Sequence, residues 1–507
     1  MRPIKHILSV AAVAFVALAT ATSCSESFLD LKAPSQVSID EYYDSEERMF
    51  ESLVAAYDPL KWFDWGMGEY NPINIMSDIM ADDIWVGGTG KSDNANWHYM
   101  MNYEARPTAV IAGIWISGYS GVKRCNDVFY YMSRLADIDE TTKTLWLTEA
   151  RVLRAWYYTL LWKFWGNIPY YTENLQFPYL QPQSTADQVY EGIVADLDEA
   201  IAANALPMKA ADADAGRVTK AMAYMLYAEV VMYQKDETRY PTALKYMEEI
   251  INSSQYILAP DYGGIFLEEG EWNSESIWEV NYMNDRGGRS WSGPLVTGGT
   301  VLPRLISPSG WADGTDGHDN GWGFAPVRVE TYQMYADADT RRDATCWNAA
   351  AAGSYGARYQ DTGYFLGKYV ARSGYNANHN GDGDLNFGNN LRVYRFAETL
   401  LNAAELLARG AAGTGSAADY LNRVHHRAGL TDDLAPTVDN ILQERRLEFV
   451  GEGKRYWDLI RTDRAASTLV PDAYGYRTNA WTPAKKYLPI PQSEIDAAQG
   501  TLTQNNY

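Results

Sequence analysis

Tryptophan and tyrosine are the residues in this chain whose abundance asks for a chemical explanation. Seventeen Trp and 37 Tyr occur among 507 residues, more amphipathic rings than a core needs. An indole or phenol offers an apolar face and a polar edge at little entropic cost, the combination that surfaces recognising sugars or peptides use. Trp85, Trp97, Trp291, Trp311 and Trp322 lie in non-periodic segments beside Gly, Asn, Asp and Arg. We expect Trp291, Trp311, Trp97 and Trp85 to form the stacking surface, with Asn96, Arg289 and Asn320 placed to bond hydroxyl groups. Trp322, between Gly321 and Gly323, is expected to be structural. Trp62, Trp65, Trp146, Trp156 and Trp162 lie near or inside helical stretches and are expected in the core.

Motifs for other chemistry fail on inspection. Gly88-Thr89-Gly90-Lys91-Ser92 is similar to a phosphate loop, but the first required Gly falls at Trp85, whose side chain would crowd the turn. Gly413-Thr414-Gly415 follows a helical pattern where a dinucleotide fingerprint needs a strand. There is no G-x-S-x-G elbow and no H-E-x-x-H, and the six His are unclustered apart from His425-His426. Asn378 to Asp384 alternates oxygen side chains around Gly383 as a calcium loop does, but Asn389 stands where a bidentate Glu belongs. Asp313, Asp316 and Asp319 make a second, equally incomplete oxygen-rich loop. Both read as solvated turns, and no cofactor is expected. With 65 acidic residues, a carboxylate pair for glycoside hydrolysis cannot be picked out by spacing.

The elements that must position these rings are helical. Apolar residues recur at helical spacing over 40–57, 109–132, 147–165, 185–203, 219–233 and 242–252, then over 391–408, 417–428 and 438–449. Gly166 ends the third before Pro169. Small residues such as Ala221, Ala223 and Ala228, or Ala397, Ala403 and Ala404, allow close crossings, as in tetratricopeptide-type hairpins. From 253 to 390 the periodicity is lost, Gly, Asn, Asp and Trp dominate, and only 276–282 reads as a strand. Loops of that length in a compact protein are usually functional.

Composition narrows the role further. The chain is 46% hydrophobic and 21% charged, which excludes extended disorder. Its net charge of −22 repels phosphate backbones and sets aside nucleic acid as a partner. At the N-terminus, Arg2 and Lys5 precede an apolar stretch over 7–21 that is too short to span a membrane. It runs into Ala21-Thr22-Ser23-Cys24, which resembles a lipoprotein cleavage site with Cys24 as the acylated first residue. The reading is a signal peptide over 1–23 and a chain anchored to a membrane without crossing it. Cys125 and Cys346 make no disulfide framework; buried free thiols are expected, with one long-range bridge as the alternative.

Separated motifs then line up in order. Phe28-Leu29-Asp30 with Pro34 follows Cys24; Trp115 and Tyr119 lead to Cys125-Asn126; Glu149-Ala150-Arg151 and Leu153-Arg154-Ala155 lead to Gly166-Asn167-Ile168-Pro169. Gly216-Arg217-Val218-Thr219, Arg395-Phe396-Ala397-Glu398, Ala404-Glu405, Leu421-Asn422-Arg423-Val424 and Arg427-Ala428-Gly429 follow. The last are Glu444-Arg445-Arg446-Leu447-Glu448, Glu452-Gly453-Lys454-Arg455, Trp457-Asp458-Leu459 and Leu488-Pro489-Ile490-Pro491, with Glu494 and Gln504-Asn505. Together they resemble the SusD/RagB family of Bacteroidetes surface lipoproteins from Cys24 to Tyr507. Cys125 stands where a small residue is usual, and Asn506 replaces an expected Pro-Gly.

The resemblance implies a mostly α fold, a tetratricopeptide-like hairpin scaffold with a loop-rich binding face. It divides the mature chain into an N-terminal region of hairpins, 24–252, and a C-terminal region, 253–507, where a loop-rich insertion precedes further hairpins. It also implies a non-catalytic outer-membrane lipoprotein facing the exterior, which captures oligo- or polysaccharide for a TonB-dependent receptor. Capture of peptides is the alternative on the same scaffold, and a surface glycoside hydrolase the third reading. Glu444, Arg445, Glu448, Arg455 and Asp458 are expected to form buried ion pairs of the scaffold.

Overall fold

The computed structural model describes residues 39–507 except 67 and 313–315. The signal segment, Cys24 and Asp313 lie outside the described residues.

The scaffold is helical: α1 (Glu46–Tyr57), α2 (Ala95–Met101), α3 (Gly113–Met132), α4 (Glu140–Trp165), α5 (Ala186–Ala202), α6 (Lys220–Gln234) and α7 (Tyr240–Asn252). After the irregular region come α8 (Phe396–Ala408), α9 (Ala417–Arg427), α10 (Val438–Phe449) and α11 (Arg455–Arg461). Successive helices pack on one another, α3 on α4, α4 on α5, α5 on α6, α6 on α7 and α8 on α9, and α7 on α8 joins the two groups.

Local signals start and close these helices. Asp139 accepts the Thr142 amide at the head of α4, and Thr185 with Gln188 forms a reciprocal capping box on α5, each filling amides the helix itself cannot pair. Gly121 of α3 lies so near the Tyr157 ring of α4 that an added Cβ would sit 2.4 Å from it. A larger side chain there would push the two helices apart.

Four helix readings change at their ends: α3 starts four residues later than its expected 109, at Gly113, and α4 starts seven residues earlier than its expected 147, at Glu140. The stretch 40–57 breaks at Ser45, whose extended backbone (φ −142°, ψ 161°) caps α1. The stretch 391–408 begins as a strand: β4 (Leu391–Arg395) pairs antiparallel with β3 (Ser276–Val280), and the helix starts only at Phe396. Every residue of β3 is buried, as is most of β4. A short strand buried on both faces leaves no alternation to distinguish it from a helix.

A single hydrophobic core runs from Met49 to Ile490, with a small satellite around Trp311, Ala349, Phe365 and Val370. The irregular region is tied to the C-terminal helices by buried charge. Arg395 of β4 pairs with Glu275, Glu448 and Glu452, and Arg341 with Asp339, Glu444 and Glu448. Arg445 pairs with Asp458 and Glu398, and Arg455 with Asp82. The expected scaffold pairs therefore exist, but most partners come from distant segments. Cys125 and Cys346 are both buried and free, and no helix among the described residues is long and apolar enough to cross a membrane.

Candidate functional site

An aromatic shelf opens to solvent where three segments meet. The hairpin of β1 (Trp65–Gly66) and β2 (Glu69–Tyr70) places Trp65 opposite Tyr70. The loop after β3 brings Trp291, and the turn at 321–323 brings Trp322. Trp291 stacks on Trp322 at 6.1 Å and 27°, Trp322 meets Tyr70 edge-on at 5.7 Å, and Trp65 meets Trp291 edge-on at 5.1 Å. Trp65 and Tyr70, 6.3 Å apart, close the ring. Trp291 is 45% exposed and Trp65 only 7%; Tyr70 and Trp322 are half-buried. Trp65 is the floor, and the other three rings are the part of the shelf that reaches solvent.

Each ring is held from behind. Arg289 is fully buried and clamps the base of the Trp291 loop. Its guanidinium pairs with Asp64 at 2.8 Å and donates to the carbonyls of Pro294 (2.9 Å) and Gly299 (2.7 Å). The Trp291 amide donates to Asp382 at 3.0 Å, and the Trp322 amide to the Arg304 carbonyl at 2.9 Å. Arg304 in turn pairs with Asp384 at 2.8 Å. Asp382 and Asp384 belong to the calcium-like loop, so these two carboxylates brace the shelf. Among the described residues no group of three or more His, Cys, Asp or Glu could hold a metal ion. Burial, then the charges of Asp384 and Asp93, push the Tyr70 phenol up to about 12. It therefore stays a neutral hydroxyl, able to donate and to accept.

Most residues chosen from the sequence lie elsewhere. Trp85 is 2% exposed, sandwiched under the Arg328 guanidinium at 3.5 Å and against the Tyr476 ring. Trp97 is equally buried. Its indole N–H donates to the Tyr70 carbonyl at 3.0 Å, so it supports the shelf from beneath and presents no face to a ligand. Trp311 is 3% exposed in the satellite core against Trp347, and Arg289 has no exposed surface. These four placements correct the expectation of ligand contact: each side chain is covered by segments remote in sequence. Asn96 is half-buried near the shelf, its amide donated to Glu69 and to the Val110 carbonyl. Trp291 alone of the chosen tryptophans has an open face. Trp322 is half-buried against the main core, as a structural reading expects, and also joins the shelf; Trp65 is buried as expected, and Tyr70 had not been singled out. The Gly-rich turn between Trp65 and Tyr70 was the available signal: aromatics flanking a hairpin turn land side by side.

Other motifs resolve into packing. The Thr414 and Gly415 amides are filled by the Glu248 carboxylate at 2.7–3.0 Å. A cleft of about 320 Å³ lies between α1 and the 215–217 turn. Its polar groups are engaged: Arg217 with Glu149 and Asp214, Lys61 with Asp58 and Thr297.

Comparison with known proteins places the chain. A profile described as the SusD family matches residues 224–507, and one described as starch-binding associating with outer membrane matches residues 27–232. The chain belongs to the SusD family. Surface glycan-binding protein A from Bacteroides thetaiotaomicron is 59% identical, with a TM-score of 0.89 over 92% of this chain and 100% of that one. That protein is also known in complex with laminarihexaose, matched over 91% of this chain. Surface glycan-binding protein A from Bacteroides uniformis is 49% identical, with a TM-score of 0.83 over 91% of this chain and 100% of its own. A SusD-like protein of Bacteroides ovatus is 24% identical over 489 residues, 90% of this chain and 84% of its own length. The mostly helical fold and the tetratricopeptide-like packing are those of this SusD group.

Proposed function

We propose that this protein is a non-catalytic cell-surface receptor that captures neutral polysaccharide of the laminarin type on the Trp291–Trp322–Tyr70 shelf. The observation that carries this reading is the shelf itself: three partly open rings on a fixed floor, with a neutral phenol and carboxylates at the rim. Sugar rings present C–H faces to indoles and hydroxyls to such a rim. The laminarihexaose complex of the 59% identical relative names the glucan class to test first.

An open stacking surface favours a glycan over the peptide alternative, which would call for an enclosed, acceptor-rich cleft. Hydrolysis needs carboxylates free to give and take protons. Here Asp384 is tied to Arg304, Asp382 to the Trp291 amide, and Asp93 to the Thr89 amide and hydroxyl. In this reading Cys24 carries the lipid that holds the protein on the outer face of the outer membrane, and a TonB-dependent receptor takes the captured glycan inward.

Calorimetric titration of the mature protein with laminarihexaose, followed by product analysis, tests the proposal. Binding without chain shortening is expected, and Trp291→Ala and Trp322→Ala should each weaken it about tenfold, a stacking contact being worth about 0.5–1.5 kcal/mol. Absence of binding, or wild-type affinity in both variants, would overturn it.

A further inference from the structure

A second set of rings faces solvent on another group of loops. Tyr474 and Tyr476 stack at 5.8 Å and 18°, and Tyr359 meets Tyr476 edge-on at 5.5 Å. Tyr474 is 54% exposed, and Tyr476 and Tyr359 are half-buried. Trp85 stands behind them, 5.1 Å from Tyr476 and 6.0 Å from Tyr474 and nearly perpendicular to both. This repeats the plan of the first shelf, with open rings laid over a buried indole.

The turn that displays the rings is rigid. Asp472 accepts the amides of Tyr474 (2.7 Å), Tyr476 (3.2 Å) and Arg477. Arg477 is 1% exposed and donates inward to the carbonyls of Met101 at 2.9 Å and Ala81 at 2.6 Å. The Tyr474 hydroxyl is fixed on Glu330 at 2.9 Å. Holding an exposed aromatic pair this firmly removes the ordering cost that a ligand would otherwise meet.

A short buried path of contacts links the two shelves. The Tyr359 amide donates to the Gly88 carbonyl at 3.0 Å, and Gly88 abuts the Phe324 ring so closely that a Cβ would lie 2.5 Å from it. Phe324 meets Trp97 at 5.4 Å, and Trp97 bonds the Tyr70 carbonyl of the first shelf.

We propose that Tyr359, Tyr474 and Tyr476 form a second glycan-binding shelf, which takes a further stretch of the same neutral polysaccharide held at Trp291 and Trp322. The proposal rests on the glycan reading of the first shelf. The Glu330 and Asp472 carboxylates beside the rings suit an uncharged chain and oppose an acidic one. Two weak sites on one polymer act at high effective concentration, so the second shelf adds affinity for long chains and little for short ones.

The test is titration of the mature protein with laminarihexaose and with polymeric laminarin, using wild type, Tyr474→Ala, Tyr359→Ala and Trp291→Ala, with a thermal melt of each. The wild type should bind the polymer more tightly than the hexamer. Tyr474→Ala and Tyr359→Ala should each lose about tenfold for laminarin, keep wild-type affinity for the hexamer and melt normally, whereas Trp291→Ala should weaken both. Wild-type laminarin affinity in both tyrosine variants, or an equal loss on hexamer and polymer, would overturn the second shelf alone. Failure of the wild type to bind either probe would overturn the first shelf, and the second with it.

Discussion

The helical pairs and the irregular region between α7 and β4 solve one problem, the pairing of buried backbone, in two ways. In α4, 26 residues long, the backbone pairs with itself everywhere but at the two ends, and side chains are left to pack. The irregular region has only short helices and strand pairs, and buried arginines supply further donors to its loop carbonyls. Arg392 donates to the carbonyls of Ile265 (2.9 Å), Leu267 (2.6 Å) and Asn390 (2.6 Å), and Arg289 to those of Pro294 and Gly299. A guanidinium carries five N–H donors in a fixed fork, so one side chain fastens several loop segments at once. Loops that hold the aromatic shelf steady here depend on single buried charges, whereas the helices depend on many interchangeable contacts.

The largest expected effect tests that contrast directly. Arg392→Met should cost about 3–5 kcal/mol, because it leaves loop carbonyls unpaired and removes the cation 3.8 Å from the buried Glu279 carboxylate, while a substitution at an exposed helix position should stay within about 0.5 kcal/mol. Arg392→Lys should not restore stability, since a point charge cannot reach the same carbonyls. A wild-type melt of Arg392→Lys would break the comparison.

Trp85→Ala should cost a similar amount, about 3–5 kcal/mol, and yet leave hexamer affinity per folded molecule unchanged. Chemical denaturation and titration of the same sample separate these outcomes. A specific loss of hexamer binding without loss of stability would return Trp85 to the first shelf.

A smaller effect is expected at Asp382, which holds the Trp291 amide. Asp382→Ala should lower hexamer affinity between about twofold and tenfold, one hydrogen bond's worth of loop order, with little change in melting. Unchanged affinity would mean that Arg289 alone sets the loop.

The smallest effect concerns pH. Burial pushes the carboxyls of Glu268 and Glu271 up, to about 7 and about 8, against an ordinary 4.5. The folded protein therefore keeps protons there that the unfolded chain releases. The contribution of these two groups is greatest below about pH 4.5 and is lost as pH rises through 7 to 8. Melting temperatures taken between about pH 5.5 and 8.5 should fall less steeply in Glu271→Gln than in wild type, a difference on the order of 1–3 °C. Parallel curves would remove Glu271 from this account.

Much of the scaffold was legible because helical periodicity is a local property. α10 runs from Val438 to Phe449 as its spacing predicts, and α5 to α7 deviate by a residue or two. β4 was not legible, since its neighbour β3 is more than 100 residues away in sequence, and only that pairing makes Leu391–Arg395 extended. The shelf was legible in part. Glycine, asparagine and aspartate beside a tryptophan mark an irregular segment, but they do not say which way the indole turns.

What the sequence by itself determined is the helical scaffold, the wealth of rings and the acidic balance, because spacing and composition travel with the chain. Which rings meet solvent was decided only by the tertiary structure. Trp85 and Trp291 both stand two residues before a glycine in an irregular segment, the first between Ile84 and Val86 and the second between Ser290 and Ser292; Arg328 and Tyr476 cover the first, while Arg289 and Asp382 hold the second at the surface. Apolar or polar neighbours bias a ring inward or outward, but what packs on it from elsewhere in the chain sets its exposure.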